Sequence, residues 1–215
     1  MNEFLFFVQA LCILGFAGFA FRLGNATLIT WVTVQALIAN LFVLKQITLF
    51  GFNVTASDAF AIGSLMGLNL LQEYFGSEEA KKATTTCFFF LLFFAVVSQL
   101  HLFYTPSAHD VSNEAFVLLL SPSPRLFLAS MATFFVVQRF DIIFFAFLQK
   151  KLPMCGFAVR TCLSLIVSQA LDTILFSMLG LYGIAISLID VIVVSFAVKL
   201  LSIFFFTSGI RWAKG

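Results

Sequence analysis

The chain has 215 residues, 61% of them hydrophobic and 10% charged, with 31 Phe and a mean hydropathy of +1.08. A soluble domain is roughly half apolar and about a quarter charged, so this composition excludes one and specifies an integral membrane protein. The net charge of +2 comes from scattered basic residues, which excludes nucleic acid as a partner and leaves membrane lipids around most of the surface.

A helix needs about 18 to 25 mainly apolar residues to cross a bilayer. Seven such runs occur, at 4–21, 26–44, 55–72, 84–104, 125–148, 158–180 and 184–208. Lipid cannot satisfy backbone polar groups, and the runs are too long and too evenly apolar for barrel strands, so they are helices. The connections are short. Residues 1–215 therefore form one domain, an all-α polytopic membrane helix bundle.

No basic residue precedes the first run and Arg22 follows it, so it lacks the charged leader of a cleavable signal and reads as a retained helix. The second run carries Asn40. In the third, Gly63 and Gly67 make a G-x-x-x-G that lets a neighbouring helix approach closely, and Asn69 and Glu73 share a face. The segment Glu73 to Lys82 is polar, and Gly76 can end one helix before the next begins.

After the fourth run, residues 105–124 form the longest connection. It carries Asp110, Glu114, the apolar stretch Ala115 to Leu120 and the breaker Ser121-Pro122-Ser123-Pro124. It reads as a segment on the membrane surface, with a lid over an entrance as the alternative.

The last three runs hold polar groups that lipid disfavours. Gln138 stands three residues ahead of Asp141, and Gln169 three ahead of Asp172. An ionisable side chain at such a depth costs about 2.5–3.5 kcal/mol on insertion scales, so these residues face a cavity, a partner or a transported solute. Arg139 is two residues from Asp141 and cannot pair with it along the helix; Asp190 and Lys199 are half a turn out of phase. Each must find its partner elsewhere. Interhelical hydrogen bonding alone explains any one pair, whereas the whole set, on several helices, points to a polar site inside the bundle.

Other chemistry finds little support. Cys12, Cys87, Cys155 and Cys162 lack C-x-x-C spacing and read as small buried apolar residues. His101 and His109 stand eight apart beside the long connection, which is not a ligand spacing. Neither a metal nor a cofactor is assigned, and no Walker motif is present, so any ATP is used by another chain.

Lys and Arg set the orientation. With seven spans, one side carries Arg22, Lys81, Lys82, Lys150, Lys151, Arg160, Arg211 and Lys214, and the other only Lys45 and Arg125. Cytoplasmic loops carry the excess, which puts the N-terminus outside and the C-terminus in the cytoplasm.

Several blocks together resemble one family. They are Asn40-Leu41-Phe42-Val43-Leu44-Lys45, Gly51, Asn69-Leu70-Leu71-Gln72-Glu73-Tyr74-Phe75-Gly76 with Ala80-Lys81-Lys82, Arg125, Gln138-x-x-Asp141, Ser168-Gln169-Ala170-Leu171-Asp172-Thr173, and Asp190 with Lys199. This pattern, over residues from about 30 to 210, is similar to the queuosine precursor transporters, also called the vitamin uptake transporter family.

The resemblance implies six helices plus one extra N-terminal helix, in the bacterial inner membrane, and import of a 7-deazaguanine or queuine for tRNA queuosine salvage. The polar residues themselves predict a substrate site at the midplane, formed by Asn69, Gln138, Asp141, Gln169, Asp172 and Lys199, with Glu73, Arg139, Asp190 and Asn40 serving coupling or gating. The chain departs from the pattern at Asn69, where the family usually has Asp, and at Ala61-Ile62, where it usually has Phe-Pro.

A carboxylate and amides suit a flat base with donors and a carbonyl on one edge. Energy for import comes either from protons, with Glu73, Asp141 and Asp172 as candidate sites, or from a separate ATPase of an energy-coupling-factor importer. An intramembrane enzyme and a membrane scaffold are the alternatives to transport, and assembly into a homo-oligomer stays open.

Orientation is checked with reporter fusions. Those after Lys82, Lys151 and Gly215 should report cytoplasm and one near Asp110 the outside; a fusion at Lys150 that reports the outside contradicts the seven-span arrangement.

Overall fold

The computed structural model describes residues 1–42, 45–55, 57–121, 124–183 and 188–212. Within these, the chain runs α1 (Asn2–Leu23), α2 (Asn25–Phe42), β1 (Gln46–Leu49), β2 (Phe52–Thr55), α3 (Asp58–Phe75), α4 (Ser77–Leu102), α5 (Asn113–Leu120), α6 (Pro124–Lys151), α7 (Phe157–Phe176), a π-turn (Ser177–Leu181) and α8 (Leu188–Trp212). The seven apolar runs correspond to α1, α2, α3, α4, α6, α7 and α8, in a helical membrane bundle.

Helix ends follow local chemistry. α1 meets α2 at Gly24 and α3 meets α4 at Gly76, with φ of 107° and 93°, a region where a side chain is strained and glycine is not. Two long helices thus reverse at a single residue. α4 begins at Ser77, seven residues before the apolar run at 84, because Glu78 and Glu79 in its first turn favour a helix N-terminus and Lys81 Nζ lies 2.8 Å from Glu78 one turn back. α6 begins at Pro124, whose missing N–H costs nothing in a first turn, and ends on Lys150 and Lys151, which complement the helix C-terminus.

Residues 45–55 hold an element that the apolar pattern does not reveal. β1 and β2 pair antiparallel, with Gln46 opposite Thr55 and Leu49 opposite Phe52. The third run begins at 55 by hydropathy, but Thr55 belongs to β2 and α3 starts at Asp58. The hairpin is fastened to the start of α1, where Asn2 Nδ2 donates to the Thr48 carbonyl at 2.9 Å and Phe50 N–H donates to Glu3 Oε1 at 3.2 Å.

α3 is the central helix and packs against α1, α2, α4, α6, α7 and α8. Nearly every residue from Ile62 to Gln72 is buried. Close approach requires its two glycines. A Cβ on Gly63 would stand 2.8 Å from Ile13 Cγ2 and 3.0 Å from Gln35 Oε1, and one on Gly67 would stand 2.9 Å from Val32 Cγ2. With the backbones this near, Ser64 Oγ donates to the Val32 carbonyl of α2 at 3.1 Å. Overpacking a fitted interface of this kind costs about 1–3 kcal/mol.

Outer faces are apolar and exposed, as lipid requires, at Phe4, Phe16 and Phe19 of α1 and Phe89, Phe93 and Leu100 of α4. Among the described residues five helices are long and apolar enough to cross a membrane: α1, α2, α4, most of α6, and α7 with its π-turn. α3 stands outside that group. At 18 residues it is ~27 Å long, enough for the hydrocarbon core, but Asp58, Asn69, Gln72 and Glu73 dilute its apolar character, and its neighbours enclose it.

α5 has no buried residue and lies beside the end of α4, where Gln99 Nε2 donates to the Leu120 carbonyl at 2.8 Å. Before it, the Ser112 hydroxyl and N–H donate to Asp110 Oδ1 at 2.7 and 2.8 Å, holding that exposed carboxyl below its usual range.

Candidate functional site

Among the described residues the deepest acidic group is Asp141, on α6, with no exposed surface. Its Oδ1 accepts two hydrogen bonds from α7, from Ser164 Oγ and Ser168 Oγ, each at 2.6 Å. Residues four apart share a helix face, so one stripe of α7 supplies both donors. These are short, charge-assisted bonds. Asp141 Oδ2, equally buried, has no hydrogen-bond partner in the protein.

Buried amide side chains lie on α6, α7 and the neighbouring α3. Gln138, one turn before Asp141, is fully buried; its Nε2 lies 3.5 Å from Ser64 Oγ of α3, at the limit of a hydrogen bond, and its Oε1 has no partner. Gln72 of α3 donates to the Ile142 carbonyl at 2.8 Å, leaving its own Oε1 unpartnered. Asn69 is completely buried and neither polar atom of its side chain is bonded. On α7, Gln169 Oε1 and Thr161 Oγ1 are in the same state.

Buried polar atoms are nearly always paired, because an unmet donor or acceptor costs about 1–3 kcal/mol. Here unmet donors and acceptors occur on three helices that pack together, α3, α6 and α7, and Asp141 Oδ2 is among them.

The remaining residues singled out in the sequence sort into separate groups. Asp172 and Lys199 meet each other: Lys199 Nζ on α8 lies 2.7 Å from Asp172 Oδ2 and 3.2 Å from Thr173 Oγ1 on α7. Asp58, at the start of α3, adds a second negative charge within electrostatic range of Lys199. Glu73, at the end of α3, pairs with Arg160 of α7 and accepts from Gln149 Nε2 of α6 at 2.8 Å. Arg139 turns to α4, donating to Thr85 Oγ1 at 2.9 Å and lying 5.3 Å from the centre of the Phe135 ring. Asn40 donates to the Ala36 carbonyl and accepts from Ser130 Oγ of α6 at 3.0 Å. The Asp190 side chain lies outside the described residues.

Sequence reasoning gave no role to Ser164, Ser168, Gln72, Gln149 or Asp58, although Gln72 and Ser168 stand within the blocks that carry the family resemblance, and took Arg160 only as a loop charge. Serines in an apolar run resemble ordinary small residues at helix contacts. The available signal was their spacing of four, on the stripe that also carries Arg160. Among the described residues no group of three His, Cys, Asp or Glu side chains could hold a metal ion.

A multi-pass helical membrane protein with a polar interior enclosed by its own helices is the class that this fold and site define. Residues 55–213 match the family described as "Putative vitamin uptake transporter", and the chain belongs to that family. A relative from Bacillus subtilis (strain 168), "Probable queuosine precursor transporter", is 29% identical over 187 residues, covering 84% of this chain and 82% of the relative. No solved structure matches the chain.

The Asp172 and Lys199 pair makes a prediction about stability. Removing one partner of a buried pair leaves the other charge uncompensated, at a cost of about 3–5 kcal/mol, whereas removing both charges together is often neutral. Asp172→Asn should therefore lower the thermal unfolding midpoint in detergent, and adding Lys199→Met should recover most of the loss. A double variant no more stable than the single one contradicts a paired role.

Proposed function

We propose that this chain is an inner-membrane transporter that takes up a queuosine precursor, a 7-deazaguanine-type base, for tRNA modification. The N-terminus is outside, the C-terminus is in the cytoplasm, and the base binds beside Asp141 within the bundle. The Bacillus subtilis relative supports the substrate class by its name. The observation that carries the site is the half-satisfied carboxylate, with Oδ1 held by two serines and Oδ2 unpartnered among unmet amide groups.

The chemistry matches edge to edge. A 7-deazaguanine offers a ring N–H and an amino group beside a carbonyl. Asp141 Oδ2 accepts from the first two, an amide oxygen of Gln138 or Gln169 takes the remaining amino hydrogen, and Asn69 Nδ2 donates to the carbonyl. Ser164 and Ser168 donate to Oδ1 and restrain the carboxylate, which keeps Oδ2 available before a ligand arrives. An adenine-type edge places a donor where the carbonyl should be and leaves buried groups unpaired, which is where polar sites discriminate most strongly.

Asp141 is ten residues from Lys151 at the end of α6, or ~15 Å along the helix, which supports binding well inside the membrane. Proton entry at this carboxylate would let the chain work alone as a carrier. An importer subunit would bind the same base there and depend on a separate ATPase.

Losing a charged acceptor in a desolvated site costs about 1.5–3 kcal/mol, about ten- to a hundredfold in affinity. In cells that cannot make queuosine and are fed one 7-deazaguanine base, Asp141→Asn should cut uptake by that factor while the protein remains folded and inserted. Normal uptake by such a variant removes Asp141 from the site.

A further inference from the structure

Three helices meet at Asp141, and the same three meet again one to two turns nearer the end that carries Lys81, Lys82, Lys150 and Lys151. On α3, Glu73 follows Asn69 by four residues. On α7, Arg160 precedes Ser164 by four, and Ser164 precedes Ser168 by four. On α6, Asp141, Phe145 and Gln149 succeed one another at the same interval. Residues four apart lie on one helix face, so each face that supplies the polar site also supplies a member of the Glu73, Arg160 and Gln149 cluster.

That cluster closes the bundle there. The Glu73 carboxylate takes Arg160 on one oxygen and Gln149 on the other, tying α3 to α7 and to α6. Arg160 Nη1 also donates to the Cys155 carbonyl at 2.9 Å, fastening the loop between α6 and α7. Phe145, fully buried, sits on α6 between the two polar levels, and its ring centre is 6.1 Å from that of Phe157, which in turn is 5.8 Å from Tyr74 of α3. Phe145 stands between Asp141 and Gln149 on α6, while Phe157 and Tyr74 lie at the level of the ion pair or beyond it, so a solute leaving Asp141 toward this end meets Phe145 and then the ion pair with its aromatic neighbours.

We infer that Glu73, Arg160 and Gln149, with Phe145 beneath them, form the gate through which a solute held at Asp141 is released at the lysine-rich end. This rests on the transport reading above. The exposures fit a contact that opens. The Arg160 and Glu73 side chains are 11% and 17% exposed, so water at that end can solvate them when they part, whereas Asp141 is fully enclosed. A staple meant only to hold the fold would not need to lie on the three faces that make the polar site.

The test uses full-length protein with its four native cysteines replaced, carrying Glu73→Cys and Gln149→Cys, joined by a short bis-thiosulfonate and reconstituted in liposomes. Cross-linking should abolish uptake of radiolabelled queuine while leaving its binding intact, and reduction should restore uptake. Continued uptake after complete cross-linking overturns the gate, as does loss of binding together with uptake, which would make the cluster part of the binding site.

Should the double variant not fold, Gln149→Cys alone keeps the Glu73 and Arg160 pair. Its labelling by a membrane-impermeant maleimide from the lysine-rich side should accelerate when queuine is supplied, and an unchanged rate overturns the proposal. Parent protein that neither binds nor imports queuine removes the substrate reading instead. The gate is then tested by repeating the cross-link with whichever base the parent protein imports.

Discussion

In a membrane interior, neither lipid nor bulk water completes a polar group's hydrogen bonds, so a buried carboxylate depends on partners that the protein itself places around it. The two serine hydroxyls on Asp141 Oδ1 are the contact on which the rest of the structure converges. They join α6 to α7 at a fixed level and stabilise the charged form on one oxygen, while the other has no partner in the protein. Without them the carboxylate would be free to turn and spend both oxygens on protein donors.

The packing around α3 makes this arrangement affordable. Gly63 and Gly67 bring α2 against α3 closely enough for Ser64 to reach a backbone carbonyl. That contact fixes the rotation of α3 and with it the direction of Asn69 and Gln72, one to two turns further along. α3 is thus an enclosed helix whose polar residues Asp58, Asn69, Gln72 and Glu73 face its neighbours' packing rather than lipid, and the outer helices present the exposed apolar surface.

Much of the helical bundle was legible from hydropathy, because a span must be long and apolar, and the seven runs each became a helix. Boundaries moved where charge and capping overrode hydropathy, as at Ser77, where two glutamates begin α4 well outside the apolar run. The hairpin at 46–55 was invisible for a different reason: four-residue strands leave little periodicity to detect. Within the candidate site, the i, i+3 pairs Gln138 with Asp141 and Gln169 with Asp172 pointed to α6 and α7, where the structure buries Gln138, Asp141 and Gln169. Which polar residues meet across helices depends on rotation about each axis, and a single chain read in one dimension does not carry that. Hence Asp172 and Lys199, selected separately, turn out to be partners, while Ser164 and Ser168 went unselected.

The central claim is that Asp141 and the amides beside it form a receptor for one edge of a flat base. Equilibrium dialysis of the purified protein in detergent against a panel of radiolabelled bases tests it most directly. Queuine and other 7-deazaguanines should bind and adenine should not, with binding lost in Asp141→Asn. Equal binding of adenine and 7-deazaguanine, or undiminished binding by the variant, contradicts the account.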